Sequence, residues 1–583
     1  MGVHIIKENA KVLGLTRYFS ILDEDDAKSL IKEALKELNF DPKEHSPAKI
    51  KAIISIEKGK FVTLEKYKEN AQSFFQELVA NVWKIYEDKK AKENSLDFDD
   101  LLLKTVNLLK DNEQIRKIYQ EKWEYIHIDE YQDTNEVQYL MSKLLAENNR
   151  NIAVVGDADQ NIYSWRGANL KNILSFEKDY PNSKIVLLEE NYRSTKNILE
   201  AANEIIKKNK YRPDKNLFTE NETGEKISIY EALDEADEAD FVATKILELM
   251  DRREDTPERT LGMSDDDGQR KFSVENFRGE SGSILSEIAV LYRANFQSRA
   301  LEEAMLRYNI PYQVLGVKFF ERKEIKDTLA YLRAALNKEN SSDIKRIINF
   351  PKRGIGKATL EKIFGNEIES LPAKTRIKIN NFYKILEDIK EKIQSETASQ
   401  VIKFVVKNSG IEEELLNGTD EDVERLQNIK ELATLALKYD NLPNGLGIEK
   451  LLEDAALASD QDSLILNDRE KVEKSKKNGI KLMTVHASKG LEFKYVFIVG
   501  LEDGLFPNRR DGEIKNKEDA EEERRLFYVA LTRAKEKLFL SFANFRTIFG
   551  SRQINAASEF ITDIPADLLE KEGEKDRIKT IYL

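Results

Sequence analysis

With 583 residues, 40% apolar and 34% charged, the chain is long enough for about four globular domains. It has no cysteine and only four histidines (His4, His45, His127, His486), which excludes a disulfide framework, a thiolate-held cluster, a Cys-ligated zinc site and a His-rich metal centre. No apolar run approaches the roughly 18 residues of a membrane span, the opening MGVHIIKENAKV is too short in apolar length for a secretory signal, and the net charge of −13 argues only weakly against nucleic acid, because a basic groove can sit on an acidic body.

Residues 1–120 read as helices. Ala27–Leu38 and Leu64–Tyr86 space apolar residues by three and four on a charged background, and Leu96–Leu109 adds acids in its first turn. Short β-branched runs follow at Tyr125–Ile128, Ile152–Val155 and Ile185–Leu188, with charged helical stretches between them. The alternation returns at Ile227–Tyr230, Ile288–Tyr292, Ile480–Val485, Val496–Val499 and Leu538–Phe542. Strands alternating with helices predict an α/β fold built on parallel sheets. From Asp343 to Glu449 the chain is again helical and lysine-rich, so a helical insert divides the second strand-bearing region. Residues 251–282, which include GMSDDDGQRKF, read as a mobile surface loop.

Five segments carry chemistry. YIHIDEYQDTN at 125–135 is an apolar strand ending in adjacent carboxylates, Asp129 and Glu130. Ligands gather at the carboxyl ends of parallel strands; one carboxylate there can hold magnesium, a hard cation that prefers oxygen, and its neighbour can polarise a water. An Asp-Glu pair by itself is more often a solvated turn; the apolar lead-in and the following Tyr-Gln-Asp favour a site here. VVGDADQNIYSWRGAN at 154–169 is a second strand followed by Gln160, Tyr163, Trp165 and Arg166. Two aromatics beside an arginine suit single-stranded nucleic acid, since bases stack on aromatic faces; the competing reading places Trp165 in a core. LLEENYRSTKNI at 187–198 sets Arg193 between strand and helix, KLMTVHASKGLEFKYVFIVGLEDGLFP at 481–507 is strand, Gly-containing loop and strand, and EEERRLFYVALTRAKEKLFLS at 521–541 is a helix carrying Arg533 near its end. Arginines from distant segments that meet one acid pair can clamp a transferring phosphate.

In order, DEYQDTN, GDADQNIYSWRGA, ENYRS, TVHASKGLEF and EERRLFYVALTRA resemble the Walker B, third, fourth, fifth and sixth motifs of the UvrD/PcrA/Rep family of superfamily 1 DNA helicases. The stretches at 291–327 and 349–363 (NFPKRGIGKATLEKI) are similar to the same family, so the resemblance covers nearly the whole chain. It implies two RecA-like domains, each with an inserted helical subdomain, that close on ATP and Mg2+ and walk 3′ to 5′ on single-stranded DNA. Carried over by position, Asp129 binds magnesium, Glu130 is the hydrolytic base, Gln160 senses the γ-phosphate, and Arg193 and Arg533 contact it. Tyr192 stacks on adenine, and Gly490 and Glu492 touch phosphate and ribose. Tyr163, Trp165, Arg166 and His486 lie along the DNA track. Lys352, Arg353 and Lys357 meet duplex backbone, in a stretch (Lys345–Lys362) of six basic residues and one acid. The implied division is a helical subdomain at 1–112, the remaining part of the first RecA-like domain at 113–194, a second RecA-like domain at 195–335 and 450–562 around a helical subdomain at 336–449, and a tail at 563–583. The implied partners are single-stranded DNA and single/double-strand junctions, without a membrane, in a bacterial-type cytoplasm.

One departure stands out. The phosphate loop G-x-x-x-x-G-K-[ST] has no match: Gly-Lys occurs only at Gly59-Lys60, before Phe61, and at Gly356-Lys357, before Ala358. The expectation is therefore an N-terminally incomplete helicase, inactive as an ATPase alone, whose loop comes from an upstream segment or a partner. The alternatives are a non-catalytic DNA-binding protein derived from such a helicase, and a helicase–nuclease, for which the 23 residues after Phe560 are too few.

Overall fold

The computed structural model describes residues 1–22, 24–42, 44–254, 284–338, 341–365, 367–464, 479–508, 517–548 and 551–573. They form two compact units: Met1–Leu188 with Lys210–Lys215 and Asn417–Thr419, and the remainder from Glu189. No described helix is long and apolar enough to cross a membrane.

The first unit is mostly helical. Glu24–Glu37, Pro47–Gly59 and Phe74–Lys92 enclose one core of Ile31, Leu35, Ile54, Val79, Val82 and Trp83. The predicted single helix over Leu64–Tyr86 is two, Leu64–Glu69 and Phe74–Lys92. The break is local: Thr63 accepts from the Lys66 N–H to start one helix, and Ser73 accepts from the Gln76 N–H to start the next. Helix Phe98–Asp111 opens with a reciprocal capping box between Asp97 and Asp100. Both acids are buried, and they lie against two buried ammonium groups, Lys58 (2.8 Å from Asp100) and Lys90 (3.0 Å from Asp97). Two parallel strands, Ile126–Ile128 and Ile152–Val154, pair residue for residue from Ile126 with Ile152. Ile185–Leu188, expected as a strand, is not one: no described strand pairs it, and all four side chains are exposed.

The second unit holds a seven-stranded, wholly parallel sheet. Its spatial order is Leu569–Lys571, Ile227–Ala232, Ala534–Ala543, Phe493–Ile498, Ile288–Tyr292, Ile480–Thr484 and Tyr312–Val314. The fold is thus α/β with a large parallel sheet. Ile288–Tyr292 is buried at every position, as a strand covered on both faces must be, which explains its unbroken apolar run. Helices Glu235–Glu254 and Ser298–Arg307 pack together over this sheet. The strands come from two stretches of sequence, and helices from Lys323–Leu336 to Leu446–Leu464 build a separate core between them. Strands Tyr312–Val314 and Leu569–Lys571 and the antiparallel hairpin Phe545–Ile548/Ser551–Ile554 were not predicted. Of the predicted loop 251–282, residues 251–254 close helix Glu235–Glu254 and the rest lies outside the described residues.

Candidate functional site

The first unit presents its chemistry where its two parallel strands end. Asp129 and Glu130 follow the first strand, both exposed. The Glu130 N–H donates to Asp129 Oδ1 at 2.8 Å, and Glu130 adopts a left-handed φ of +50°. That conformation disfavours a side chain and is typical of residues held for function. Gln132, fully buried, donates from Nε2 to Glu130 Oε2 (2.5 Å) and accepts the Asp157 N–H at Oε1 (2.9 Å). A Cβ at Gly156 would lie 2.5 Å from that same Oε1, so only glycine lets Gln132 cross from one strand end to the other. Asp157 then accepts from Gln160 Nε2 at 2.8 Å. One polar chain therefore joins Glu130, Gln132, Asp157 and Gln160. Two exposed oxygen-donor side chains at a strand end fit magnesium, which takes one or two carboxylates and completes its shell with water and phosphate.

The sequence reading missed what anchors this chain. Lys215 Nζ sits 2.5 Å from Asp157 Oδ1, and Arg212 forks onto Asp159 at 3.0 and 2.8 Å. Burial pushes the Asp157 carboxyl up, but the Lys215 ammonium and the Gln160 and Asp159 hydrogen bonds outweigh it and hold Asp157 below its ordinary range. These cations lie 58 and 53 residues downstream of their partners, a separation no local pattern encodes.

The second unit gathers residues from three segments. Asn191 accepts the N–H groups of Arg193 and Ser194, both at 2.9 Å, and Ser194 Oγ donates to the Ala534 carbonyl at 2.7 Å. This anchors Arg193 beside the strand that follows Arg533. Arg193 Nε meets Glu492 Oε2 at 2.7 Å, and Lys535 Nζ meets Glu492 Oε1 at 2.5 Å. Hydrogen bonds from Lys535 and then Arg193 hold the Glu492 carboxyl below its ordinary range. Gly490 turns the chain with a φ of +83°, so the Leu491 carbonyl accepts from Arg533 Nη1 at 3.1 Å. Arg533 is buried, with Nε on the Val529 carbonyl (3.0 Å) and Nη2 on Thr532 Oγ1 (3.1 Å). Arg193, Gly490, Glu492 and Arg533 are thus brought together, with Lys535 an addition the sequence reading did not make. Two cations, Arg193 and Lys535, pair with the one carboxylate, and Arg533 binds the adjacent Leu491 carbonyl, a surplus of positive charge that suits a polyanion. Tyr192 is exposed, and its hydroxyl donates to Glu190 Oε2 at 2.7 Å.

Trp165 is 58% exposed, so it fills no core. The Arg166 guanidinium lies 4.5 Å from the Trp165 ring centre and 5.6 Å from that of Tyr163, and the two rings are 6.5 Å apart. The three side chains form one surface platform. His486, half-buried, opens the short turn His486–Ser488 after strand Ile480–Thr484. In the basic stretch, Arg346 pairs with Asp327 at 2.5 Å, and Arg353 Nη1 and Nη2 donate to five oxygens. Lys352 is exposed; the Lys357 side chain lies outside the described residues.

The first unit thus carries a strand-end carboxylate pair and an aromatic–arginine platform, and the second carries a cation cluster beside its parallel sheet. Residues 1–181 match the UvrD/REP helicase N-terminal domain, and residues 186–545 match the UvrD-like helicase C-terminal domain. The chain is 41% identical over 592 residues to the ATP-dependent DNA helicase PcrA of Bacillus subtilis (strain 168), an alignment spanning 99% of this chain and 76% of that protein. It is 40% identical over 601 residues to the PcrA of Staphylococcus epidermidis (strain RP62A), spanning 100% and 77%, and 38% identical over 596 residues to that of Staphylococcus aureus (strain Mu50), spanning 99% and 76%. The chain belongs to the UvrD/REP helicase family.

Proposed function

We propose that the chain is an ATP-dependent DNA helicase that moves 3′ to 5′ along single-stranded DNA and opens duplex at a junction. The observation that carries this reading is the cluster in which Arg193 and Lys535 pair with Glu492 while Arg533 binds the neighbouring Leu491 carbonyl, with Arg193 about 300 residues from Glu492 in the chain. Its surplus positive charge serves a nucleotide triphosphate, with Arg193 and Arg533 stabilising charge on the γ-phosphate. Tyr192 offers its exposed ring to adenine, and Gly490 and Glu492 face phosphate and ribose. Asp129 would hold a magnesium ion, which would supply positive charge to offset that of the triphosphate. Glu130, its carboxylate steadied by Gln132, takes the proton of the attacking water. Gln160 senses the γ-phosphate through the Asp157 link. Tyr163, Trp165, Arg166 and His486 receive the single strand, and Lys352 and Lys357 the duplex. In this reading the domain limits are 1–112, 113–194, 195–335 with 450–562, and 336–449.

The phosphate loop of such an enzyme is not among these residues. Gly59 ends helix Pro47–Gly59 and Lys60 caps it, which places that Gly-Lys pair at the negative end of a helix dipole, where phosphate is repelled. Hydrolysis therefore requires a Gly-Lys-[ST] loop from an adjoining segment or a partner. That same gap supports a second reading, a non-catalytic DNA-binding protein built on the helicase frame. DNA binding measured against salt, together with ATP turnover measured with and without a supplied loop, separates the two: the helicase reading expects steeply salt-dependent binding and turnover only when the loop is present, and binding without turnover in a folded, ATP-binding fusion contradicts it.

A further inference from the structure

We propose that Arg353 is a positioning residue: it touches no DNA and instead shapes the loop Lys352–Gly356 that presents phosphate-binding groups to duplex. This rests on the reading that the loop meets duplex backbone. Both terminal nitrogens of the guanidinium are engaged. Nη1 donates to the carbonyls of Ile347 (3.2 Å), Ile348 (3.3 Å) and Pro351 (3.2 Å), and Nη2 to Tyr331 Oη (2.9 Å) and the Ser409 carbonyl (3.0 Å). Its planar face lies 5.3 Å from the centre of the Phe382 ring. Two of these acceptors belong to helix ends: Ile347 is the last residue of helix Ser341–Ile347, and Ser409 caps helix Ala398–Asn408. Carbonyls at helix C-termini carry partial negative charge, and a guanidinium there answers two helix dipoles at once. Its charge is compensated inside the fold.

The loop gains a fixed shape from this. Arg353 binds it to both helix ends, and Asn349 clasps it from within by accepting the Ile355 N–H at 2.9 Å and donating to the Ile355 carbonyl. Ile355 is buried in the helical core, whereas Lys352, Gly354 and Gly356 on either side are exposed. Gly354 takes a φ of +70°, and a Cβ at Gly356 would meet nothing within 4 Å, so the outward side is open. The Lys352 N–H is held by Glu414 Oε2 at 2.8 Å and the Ile355 N–H by Asn349, so the phosphate-binding groups are the Lys352 ammonium and the N–H groups of Gly354 and Gly356 on the open turn. A lysine at 353 keeps the charge but cannot supply five donors in a rigid fork. Tyr331 is fully buried, so it can influence DNA only through Arg353 and the loop.

The test uses the 583-residue chain and anisotropy titrations of a single strand and of a single/double-strand junction over a range of salt. Lys352→Ala should weaken junction binding and lower the slope of log K against log salt by roughly 0.9. Arg353→Lys should weaken the junction by about tenfold while the single strand binds as before. Tyr331→Phe should act in the same direction, and Lys352→Ala combined with Arg353→Lys should be no weaker than Arg353→Lys alone, because the loop is already lost. Wild-type junction affinity in Arg353→Lys, or additive losses in the double variant, would overturn the positioning role while leaving the loop a duplex contact. Unchanged binding in every variant would overturn the duplex reading itself and the proposal with it. If Arg353→Lys also loses the single strand, its fold is compromised and Tyr331→Phe decides: a junction-specific loss supports the proposal and unchanged junction binding refutes it.

Discussion

Arg193 and Arg533 illustrate how two arginines assigned one role can differ physically. Arg193 is half-exposed and paired with one carboxylate at the surface, an arrangement worth little to stability. Arg533 is buried and donates to the Val529 and Leu491 carbonyls. Arg533→Ala should therefore cost about 1–3 kcal/mol of folding stability from unsatisfied buried groups, and Arg193→Ala less than about 1 kcal/mol, in urea denaturation of the two variants. Equal effects would mean that Arg533 is not held as described. Trp165→Ala should weaken single-strand binding by about 1–3 kcal/mol, with Trp165→Phe intermediate; unchanged anisotropy curves would remove the platform from the DNA track. At this scale sequence motifs name residues well and environments poorly. DEYQDTN picks out Asp129 and Glu130, but nothing in it indicates that Glu130 is left-handed or that Gln132 ties it to Asp157. The basic count of Lys345–Lys362 is correct as arithmetic, yet Arg346 is paired with Asp327 and Arg353 donates to four backbone carbonyls and the Tyr331 hydroxyl, because a cation's partners depend on what tertiary packing brings to it.

Helix Phe98–Asp111 is an element whose start serves two purposes. Asp97 and Asp100 cap it, and the same carboxylates receive Lys58 and Lys90 from helices Pro47–Gly59 and Phe74–Lys92, with Tyr86 donating to Asp97 at 2.9 Å. Burial pushes Asp97 up, yet Lys58 and Lys90 more than reverse this and hold it well below the usual carboxylate range. Burial lowers Lys58, and Asp100, Glu87 and Asp97 reverse that and raise it well above its ordinary value. The signs follow: the Asp97 contribution is complete above its unfolded value of about 3.9 and is lost as pH falls through the lower folded value, while the Lys58 contribution is complete below about 10.4 and is lost as pH rises through the higher folded value. Stability of this region should be flat across neutral pH and fall below about pH 4. Lys58→Met should cost about 3–5 kcal/mol by stranding buried carboxylates, read by urea melts at pH 7; a loss under about 1 kcal/mol would show that the cluster is hydrated. The amphipathic spacing made these helices legible. Their joining through buried charge was not, because lysines and acids of this region read equally well as a solvated face. Strands with buried neighbours, such as Ile288–Tyr292, were legible for the same reason that Ile185–Leu188 was misread: an apolar β-branched run records a preference for strand, and only a pairing partner makes it one.

For the molecule as a whole, the net charge of −13 and the proposed DNA binding are compatible because the relevant charges are local: Arg166 on its aromatic platform, and Arg193 and Lys535 on Glu492 with Arg533 beside them on the Leu491 carbonyl. The large sheet draws strands from 227–314 and from 480–571, so its order could not be read from the chain, although the alternation that demands a parallel sheet could. The central proposal is that Asp129, Glu130, Arg193 and Arg533 serve hydrolysis once a phosphate loop is supplied. It is tested most directly by ATP turnover in the presence of single-stranded DNA, comparing the 583-residue chain with the same chain preceded by a Gly-Lys-[ST]-bearing segment from a PcrA relative. The account predicts no more than trace hydrolysis by the first and DNA-dependent hydrolysis by the second, abolished by Glu130→Gln. DNA-stimulated turnover by the 583 residues alone, itself abolished by Glu130→Gln, would contradict it.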